Sequence, residues 1–375
     1  MLRKIKESDI DSIIKLENET LGETLGESML NDILTNPLMK AYVYDDNKIL
    51  GYISVSFDGN ILEILNFCVS PNNQNNGIGK KLLNYAIMDS YKDGCKSVIL
   101  EVRADNIKAI HVYESFGFKK ISIRKQYYKD LCDALVYEIK LNDYNIVDEK
   151  YLLSFVLYNE TKDYIRYFDN YQFDKYYHNF YKIKNEDCID KIIEENKDKS
   201  FLCIEYNRPL NDKGFTEIDD NLTMASFISS LKIKDLNMGI VEDALGNEKE
   251  LYDLLYNDDL RFGEDFSKKN SDKIIENIIN KKTKGFVVKN NNKIIGFINT
   301  FHDNDICLLE DFFIIEKYRR NGFGSTLFNA AINYYKNIGC NIAILTADND
   351  DTPKDMYSKW GFVVIDESYF SRRGE

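Results

Sequence analysis

Apolar and polar positions follow one order of elements that runs along the chain twice. Residues 41–44, 49–57 and 61–69 are short apolar runs of strand type, the first two joined by the cluster Asp45, Asp46, Asn47 and Lys48. Asn and Asp tolerate the backbone of a tight reversal, so a meander is expected there. Ile78, Leu82, Leu83, Ala86 and Ile87 then recur at helical spacing, with Gly94 placed as a stop. That spacing predicts an amphipathic helix, and the run from Ser97 to Val102 predicts a strand after it. Asn106 stands where a cap would open a short helix over 107–116, ended by Gly117. The order returns as strands 285–289, 294–301 and 306–315, helix 322–338, strand 341–346 and helix 353–360. The class expected is α/β (α+β), with antiparallel strands feeding a parallel pair.

The return is literal as well as periodic. NKILGYIS (Asn47 to Ser54) comes back as NKIIGFIN (Asn292 to Asn299), and NNGIGKKLLNYAI (Asn75 to Ile87) as RNGFGSTLFNAAI (Arg320 to Ile332), both displaced by 245 residues. VYESFGF (Val112 to Phe118) matches MYSKWGF (Met356 to Phe362) at a displacement of 244. Self-similarity of this kind marks two copies of one domain. The boundaries read as 1–141, a middle segment 142–235, and 236–375. The middle segment repeats no glycine motif and is crowded with aromatics between Tyr164 and Tyr181. Rings can stack bases, but in acidic surroundings packing is the better account of them. SFLCIEY (Ser200 to Tyr206) and LTMASFI (Leu222 to Ile228) look like strands, so the segment is read as an additional α/β piece, a partial further copy.

Composition narrows the class. In 375 residues the apolar share is 44%, the charged share 30% and the net charge −13. An acidic chain is poorly suited to nucleic acid and can steer cationic amines toward itself, although acidity also serves solubility alone. Residues 1–140 hold 18 Lys+Arg against 20 Asp+Glu, so most of the negative charge lies downstream. No apolar run reaches the ~18 to 20 residues that span a bilayer, and the opening MLRKIKESDI turns acidic before any apolar stretch forms. A cytoplasmic protein without membrane partners is expected, and nothing requires more than a monomer. Seven cysteines form no C-x-x-C pair and the three histidines stand at no metal-ligand spacing. Free thiols and no metal are the expectation.

The glycines carry the chemistry. SPNNQNNGIGKKLL (Ser70 to Leu83) lacks the first Gly and the Ser/Thr of a nucleotide triphosphate loop, and Leu82 fills the third glycine of a dinucleotide fingerprint. What remains is Gln74, Gly77 and Gly79 at a helix start, and again Arg319, Gly322 and Gly324. Glycines there let main-chain N–H groups close on an anion at the positive end of a helix.

Two such loops, each followed by helix, strand and Y-x-x-x-G-F, resemble the GNAT superfamily of acetyl-CoA-dependent N-acetyltransferases over about 1–140 and 236–375. The resemblance implies two GNAT-type domains, each a mixed, mostly antiparallel twisted sheet flanked by helices. It places the coenzyme A diphosphate on Gln74, Asn75, Asn76, Gly77, Ile78, Gly79 and Lys80. In the second copy it uses Arg319, Arg320, Asn321, Gly322, Phe323, Gly324 and Ser325. Main-chain groups of Phe67, Cys68 and Val69, and of Phe312 and Ile314, are implied beside the thioester. In the first copy LEVRADNIKAIHVYESFGF, RKQYY and DALVYEI are similar to the bacterial ribosomal-protein-alanine N-acetyltransferases. Acetylation of a protein N-terminal α-amine is therefore the leading function, by direct transfer in a ternary complex. A small amine (antibiotic, polyamine or amino-acid derivative) is the alternative acceptor.

An ammonium must lose a proton before it can attack, and the leaving thiolate must gain one. The resemblance gives the first task to Glu101, which could equally be a strand-end ion pair. It gives the second to Tyr113 and, in the second copy, to Tyr357. Asn106 is implied against the pantetheine arm and reads independently as a helix cap. Tyr127 and Tyr128 would wall the acceptor, with Glu17 nearby, or merely pack a hairpin. Asn75 stands where this subfamily commonly has Arg, and ENETLGETLGES (Glu17 to Ser28) replaces its peptide-shaping loop. In the second copy Thr346 stands at the Glu101 position and Asp350 at that of Asn106, leaving Asp348 or Glu310 as substitutes for the carboxylate. No counterpart of DALVYEIKL follows before Glu375. The second sheet is therefore expected to borrow a strand, around Leu222 to Ile228. One copy could also be a non-catalytic acetyl-CoA-binding module.

Overall fold

The computed structural model describes residues 1–375 apart from 23, 173–174, 350–352 and 375. The chain divides into two compact units. One is Met1–Asp143 with Ala225–Lys232 and Ser358–Ile365; the other is Tyr144–Met224 with Ile233–Tyr357 and Asp366–Glu375.

The first unit runs β1 (Leu2–Lys4), α1 (Ile10–Leu21), α2 (Gly26–Thr35), β2 (Met39–Asp45), β3 (Ile49–Phe57), β4 (Ile61–Val69) and α3 (Ile78–Tyr91). It continues β5 (Ser97–Arg103), α4 (Ile107–Ser115), β6 (Lys119–Arg124) and β7 (Ala134–Lys140). Its sheet has the order β1-β2-β3-β4-β5-β7-β6. Only β4 and β5 pair in parallel, joined by the α3 crossover, and their pairing stops at Ile64 opposite Leu100. Beyond it the two strands diverge and leave a cleft between them. The predicted apolar face of α3 is the buried one: Leu82, Leu83, Ala86 and Ile87 are fully enclosed. Each leucine buried this way contributes about 2 kcal/mol. A second layer of core, Ile10, Ile13 and Leu16 of α1 with Leu30 and Ile33 of α2, closes over Val43 and Tyr52 of the sheet.

The second unit continues α5 (Tyr144–Leu152), β8 (Leu157–Glu160), β9 (Tyr164–Phe168), β10 (Tyr181–Ile183), α6 (Ile189–Glu195), β11 (Leu202–Tyr206) and β12 (Glu217–Phe227). Then come β13 (Ile240–Asp243), α7 (Glu248–Asp259), α8 (Glu264–Ile279), β14 (Lys284–Asn290), β15 (Lys293–Asp303) and β16 (Ile306–Ile314). The chain ends with α9 (Phe323–Asn337), β17 (Ile342–Asp348), α10 (Pro353–Trp360) and β18 (Val363–Arg373).

The sheet order is β13-β14-β15-β16-β17-β12-β18-β11-β10-β9-β8. Strand β12 thus occupies the place next to β17 that β7 occupies next to β5. A strand lent from the middle segment completes the second copy, and without it β17 and β18 would both present open edges. Charge fixes the insertion: Arg372 of β18 pairs with Glu217 and Asp219 of β12 at 3.0 and 2.8 Å. The middle segment has its own parallel crossover, β10-α6-β11, as in the two copies. It takes β18 as the antiparallel neighbour of β11. Several aromatics of 164–181 are packed: Tyr167 and Phe180 lie 4.9 Å apart in a core that includes Phe155, Val287 and Phe297, while Tyr171 and Tyr177 remain exposed.

Candidate active site

The glycine loops repeat down to single bonds. Gln74 donates from Nε2 to the Val69 carbonyl at 3.2 Å, and Arg319 donates from Nε to the Ile314 carbonyl at 2.9 Å. Each pins its loop to the end of the preceding strand. Asn75 and Arg320 share a left-handed φ of 62° and 60°, and Gly77 and Gly322 follow at 77° and 89°. Left-handed residues alternating with ordinary ones in this way form a main-chain nest, which turns N–H groups inward at the tips of α3 and α9. A side chain at Gly79 or Gly324 would meet Phe67 or Phe312 at 3.2 Å. The missing Cβ atoms thus let Phe67 and Phe312 pack directly against the two helix starts, while Lys232 lies beside Gly77 and Leu236 and Met238 lie beside Gly322.

In the first unit the β4/β5 cleft collects the residues named from sequence. Glu101 lies one position past the last β4/β5 pair and is half-buried. Its carboxylate sits 2.8 Å from the Arg124 guanidinium and accepts from the Tyr127 hydroxyl, which that bond and burial hold above the ordinary phenol range. Tyr128 stands at a right angle to Tyr127 with ring centroids 5.3 Å apart, and burial together with Glu101 pushes its hydroxyl up to about 12. Arg103, held by Asp105 and Asp130, lies 4.8 Å over the Tyr128 ring. The β6–β7 hairpin thereby sets two phenols and the Arg124 guanidinium against Glu101 and Arg103 of β5.

Tyr113 of α4 is buried between Phe67 and Phe118, and burial raises its hydroxyl above the ordinary range. It is a neutral proton donor at any physiological pH. Asn106 caps α4 through its side-chain oxygen, which accepts from Ala109 N at 3.2 Å, and it remains exposed. Burial pushes the Cys68 thiol up to about 12, so it is no nucleophile. Phe67, Cys68 and Val69 pair with β3 on one side, while their β5 side is unpaired.

Glu17 has a different position from the acceptor-facing one expected of it. It is fully buried; one oxygen accepts from Asn66 at 2.6 Å and the other from Thr24 and the Leu25 amide at 2.5 and 3.1 Å. The carboxylate ties the α1–α2 turn to β4 and has no face left for a ligand.

The second unit has the same cleft. β16 and β17 pair in parallel as far as Leu308 and Ile344. At the Glu101 position Thr346 is exposed, and its amide donates to Glu310 Oε1 at 3.3 Å. The Glu310 side chain of the strand across the cleft thus reaches the Thr346 position. Tyr357 is buried against Phe328 with centroids 5.9 Å apart. Asp350 lies outside the described residues. Among the described residues no cluster of three His, Cys, Asp or Glu is placed to hold a metal.

One residue was not legible from sequence. The Lys232 ammonium donates to the Asn76 carbonyl at 2.6 Å and takes the space a Cβ on Gly77 would fill. A cation from more than 150 positions downstream therefore sits on the glycine loop beside Asn75. Only the absence of the usual arginine pointed to a cation supplied from elsewhere.

Comparison with known proteins follows the same division. The family model described as Acetyltransferase (GNAT) family matches residues 10–118 and 249–362. The [Ribosomal protein bS18]-alanine N-acetyltransferase of Escherichia coli (strain K12) is 43% identical over 65 residues, 17% of this chain and 44% of the relative. The chain thus spans under half the length of that relative. An N-alpha-acetyltransferase of Saccharolobus solfataricus is 30% identical over 147 residues, 36% of this chain and 88% of the relative. Among solved structures, the ribosomal-protein-S18-alanine N-acetyltransferase from Escherichia coli aligns at 24% identity, covering 38% of this chain and 94% of that one, with a TM-score of 0.36. A conserved protein of unknown function from Staphylococcus epidermidis aligns at 18% identity over 58% of this chain and 93% of its own, with a TM-score of 0.46.

Proposed function

The chain belongs to the GNAT acetyltransferase family, and from that premise we propose that its first unit moves the acetyl group of acetyl-CoA to the α-amine of a protein N-terminus, directly within a ternary complex. The observation that carries this is the carboxylate of Glu101 at the mouth of the β4/β5 cleft, walled by Tyr127 and Tyr128. The relatives named above, which act on ribosomal protein alanine or on N-α positions by their names, support the same acceptor.

The residues present fit a diphosphate. Gly77 is the left-handed N-cap of α3, whose first amides have no acceptor within the helix, and Lys232 adds a positive charge beside them. Acetyl-CoA supplies the activated thioester carbon; the protein's part is binding, orientation and proton movement. Main-chain donors at the tip of α3 hold the diphosphate, and Lys232 neutralises part of its charge. The unpaired edge of Phe67 to Val69 orients the carbonyl. Glu101 accepts a proton from the acceptor's ammonium, directly or through water, and the freed lone pair attacks. Arg124, 2.8 Å away, and the Tyr127 hydroxyl hold the Glu101 carboxylate in place and fix its direction. Tyr113 then gives its hydroxyl proton to the departing sulfur.

The test is coenzyme A titration followed by acetylation of an Ala-starting peptide, a lysine peptide and an α-blocked peptide by the intact chain. Acetyl on the free α-amine, with Glu101→Gln losing ~100-fold or more in kcat, is expected. Acetylation confined to lysine side chains would overturn the acceptor assignment.

A further inference from the structure

The second unit encloses a cavity of about 430 Å³ at the open end of the β16/β17 cleft. Its walls come from α5, from β9 to β12, from β16 to β18 and from the turn at Tyr176–His178. Five carboxyl groups face it, those of Asp148, Glu149, Glu205, Glu310 and Asp311, against only two lysines. Both lysines are engaged: Lys182 lies 3.7 Å from Glu205, and Lys175 donates to Asn270 at 2.7 Å. The remaining basic group, His178, is pushed down to about 4 by burial and the nearby Lys175, and so stays neutral. Seven aromatic rings complete the lining, Tyr151, Tyr177 and Phe370 among them.

We propose that this cavity is a second acceptor site and that it takes a small aliphatic polyamine, with the reacting ammonium at Glu310 and a distal one held by Asp148 among the aromatic rings. The inference rests on the acyl-transfer reading of the family fold given above. Its chemistry is that of a ligand made only of donors and methylenes. Carboxylates accept from every ammonium, ring faces attract the same charges, and the rest of each ring packs the methylenes.

The first unit contrasts with this. There the Glu101 carboxylate is already paired with Arg124 and Arg103 covers the Tyr128 ring, so the cleft offers an entering polycation less than the carboxyl-lined cavity does. Two further observations point the same way. Asp311 is held on the cavity wall by Tyr151 at 3.2 Å and Asn299 at 3.1 Å, which fixes a carboxylate before any ligand arrives. Glu310 and Asp148 are only partly covered because they face the cavity. Yet burial, with Asp311 and Asp148 beside it, raises Glu310 well above its ordinary value, and burial, opposed by Lys182 and helped by Asp366, raises Asp148 as well. Carboxyls crowded this way gain most from an entering cation.

The step balances. The entering distal ammonium favours the ionised form of Glu310, which then takes one proton from the reacting ammonium and passes it to solvent. The nitrogen lone pair forms the N–C bond to the acetyl carbonyl carbon, the C–S bond breaks, and its electron pair stays on sulfur. The nitrogen loses its second proton as the amide forms, and Tyr357 returns a proton to sulfur.

The experiment uses the full chain with spermidine, a monoamine of similar length and the Ala-starting peptide. Spermidine binding without acetyl-CoA, read by calorimetry and thermal shift, is expected and is about tenfold weaker in Asp148→Asn. Glu310→Gln should lower kcat for spermidine ~100-fold or more. Tyr151→Phe, a gentler change on the same wall, should weaken binding a few-fold. The Ala-starting peptide should not compete with spermidine. Unchanged spermidine turnover in Glu310→Gln, competition with the peptide, or equal preference for the monoamine each overturns the proposal. Absence of spermidine binding overturns it too, and peptide acetylation in the same preparation then leaves the first-unit reading standing.

Discussion

Lys232 shows how far a single side chain can lie in sequence from the group it serves. Its ammonium bonds the Asn76 carbonyl beside Gly77, so Lys232→Ala should weaken coenzyme A about tenfold in a binding titration. That corresponds to about 1.4 kcal/mol, and the loss should shrink at high salt. Tyr113 is buried with its hydroxyl proton retained, so Tyr113→Phe should cut kcat while leaving acetyl-CoA affinity nearly unchanged; equal turnover would remove it from the mechanism. Asp89 belongs to stability rather than chemistry. Burial alone would raise its carboxyl, but Lys92, Tyr42 and Lys40 hold it down to about 2 from 3.8. A depressed carboxylate stabilises the fold above its unfolded value and loses that contribution as pH falls from about 4 toward 2. Asp89→Asn should therefore cost about 2 kcal/mol at neutral pH and flatten the acid limb of a stability–pH curve over that window. The glycines, Glu101 and Tyr113 were visible in the sequence because each stands in a short local pattern. Arg124 was visible only as part of a hairpin motif, and its ion pair with Glu101 depends on two strands meeting.

Among the elements, β12 decides most. Its residues read as a strand from composition alone, but its neighbours β17 and β18 come from more than 100 positions downstream. Thr223→Pro would remove a ladder donor from a strand paired on both sides. A drop of several degrees in melting temperature, or insoluble protein, is expected, whereas an edge strand would tolerate the change. The helices of the glycine loops were legible because 3.6-residue spacing and a glycine start are local facts. The first forty residues carried no predicted element, yet they form β1, α1 and α2. Ile10, Ile13 and Leu16 share a face there, but the face is recognisable only once the sheet it covers exists. The contact between Thr346 and Glu310 is also an element-scale matter. The two residues face each other because β16 and β17 stop pairing at Leu308 and Ile344.

At the scale of the whole molecule, the second copy is not self-sufficient. Residues 236–375 expressed alone would lack the strand between β17 and β18, and exposed edges of that kind recruit other chains. Size-exclusion chromatography should find that fragment aggregated and the full chain well behaved; a well-behaved monomer of 236–375 would contradict the strand-sharing account. The duplication, the fold class, the two glycine loops and the acyl-transfer chemistry were all determined by the sequence, because each is written in a repeat or a spacing a few residues long. What covers Asn76, what completes the second sheet and which carboxyls share one cavity were decided only by the tertiary structure. Those contacts join positions whose separation along the chain carries no periodic signal, and only burial against a common core makes them neighbours.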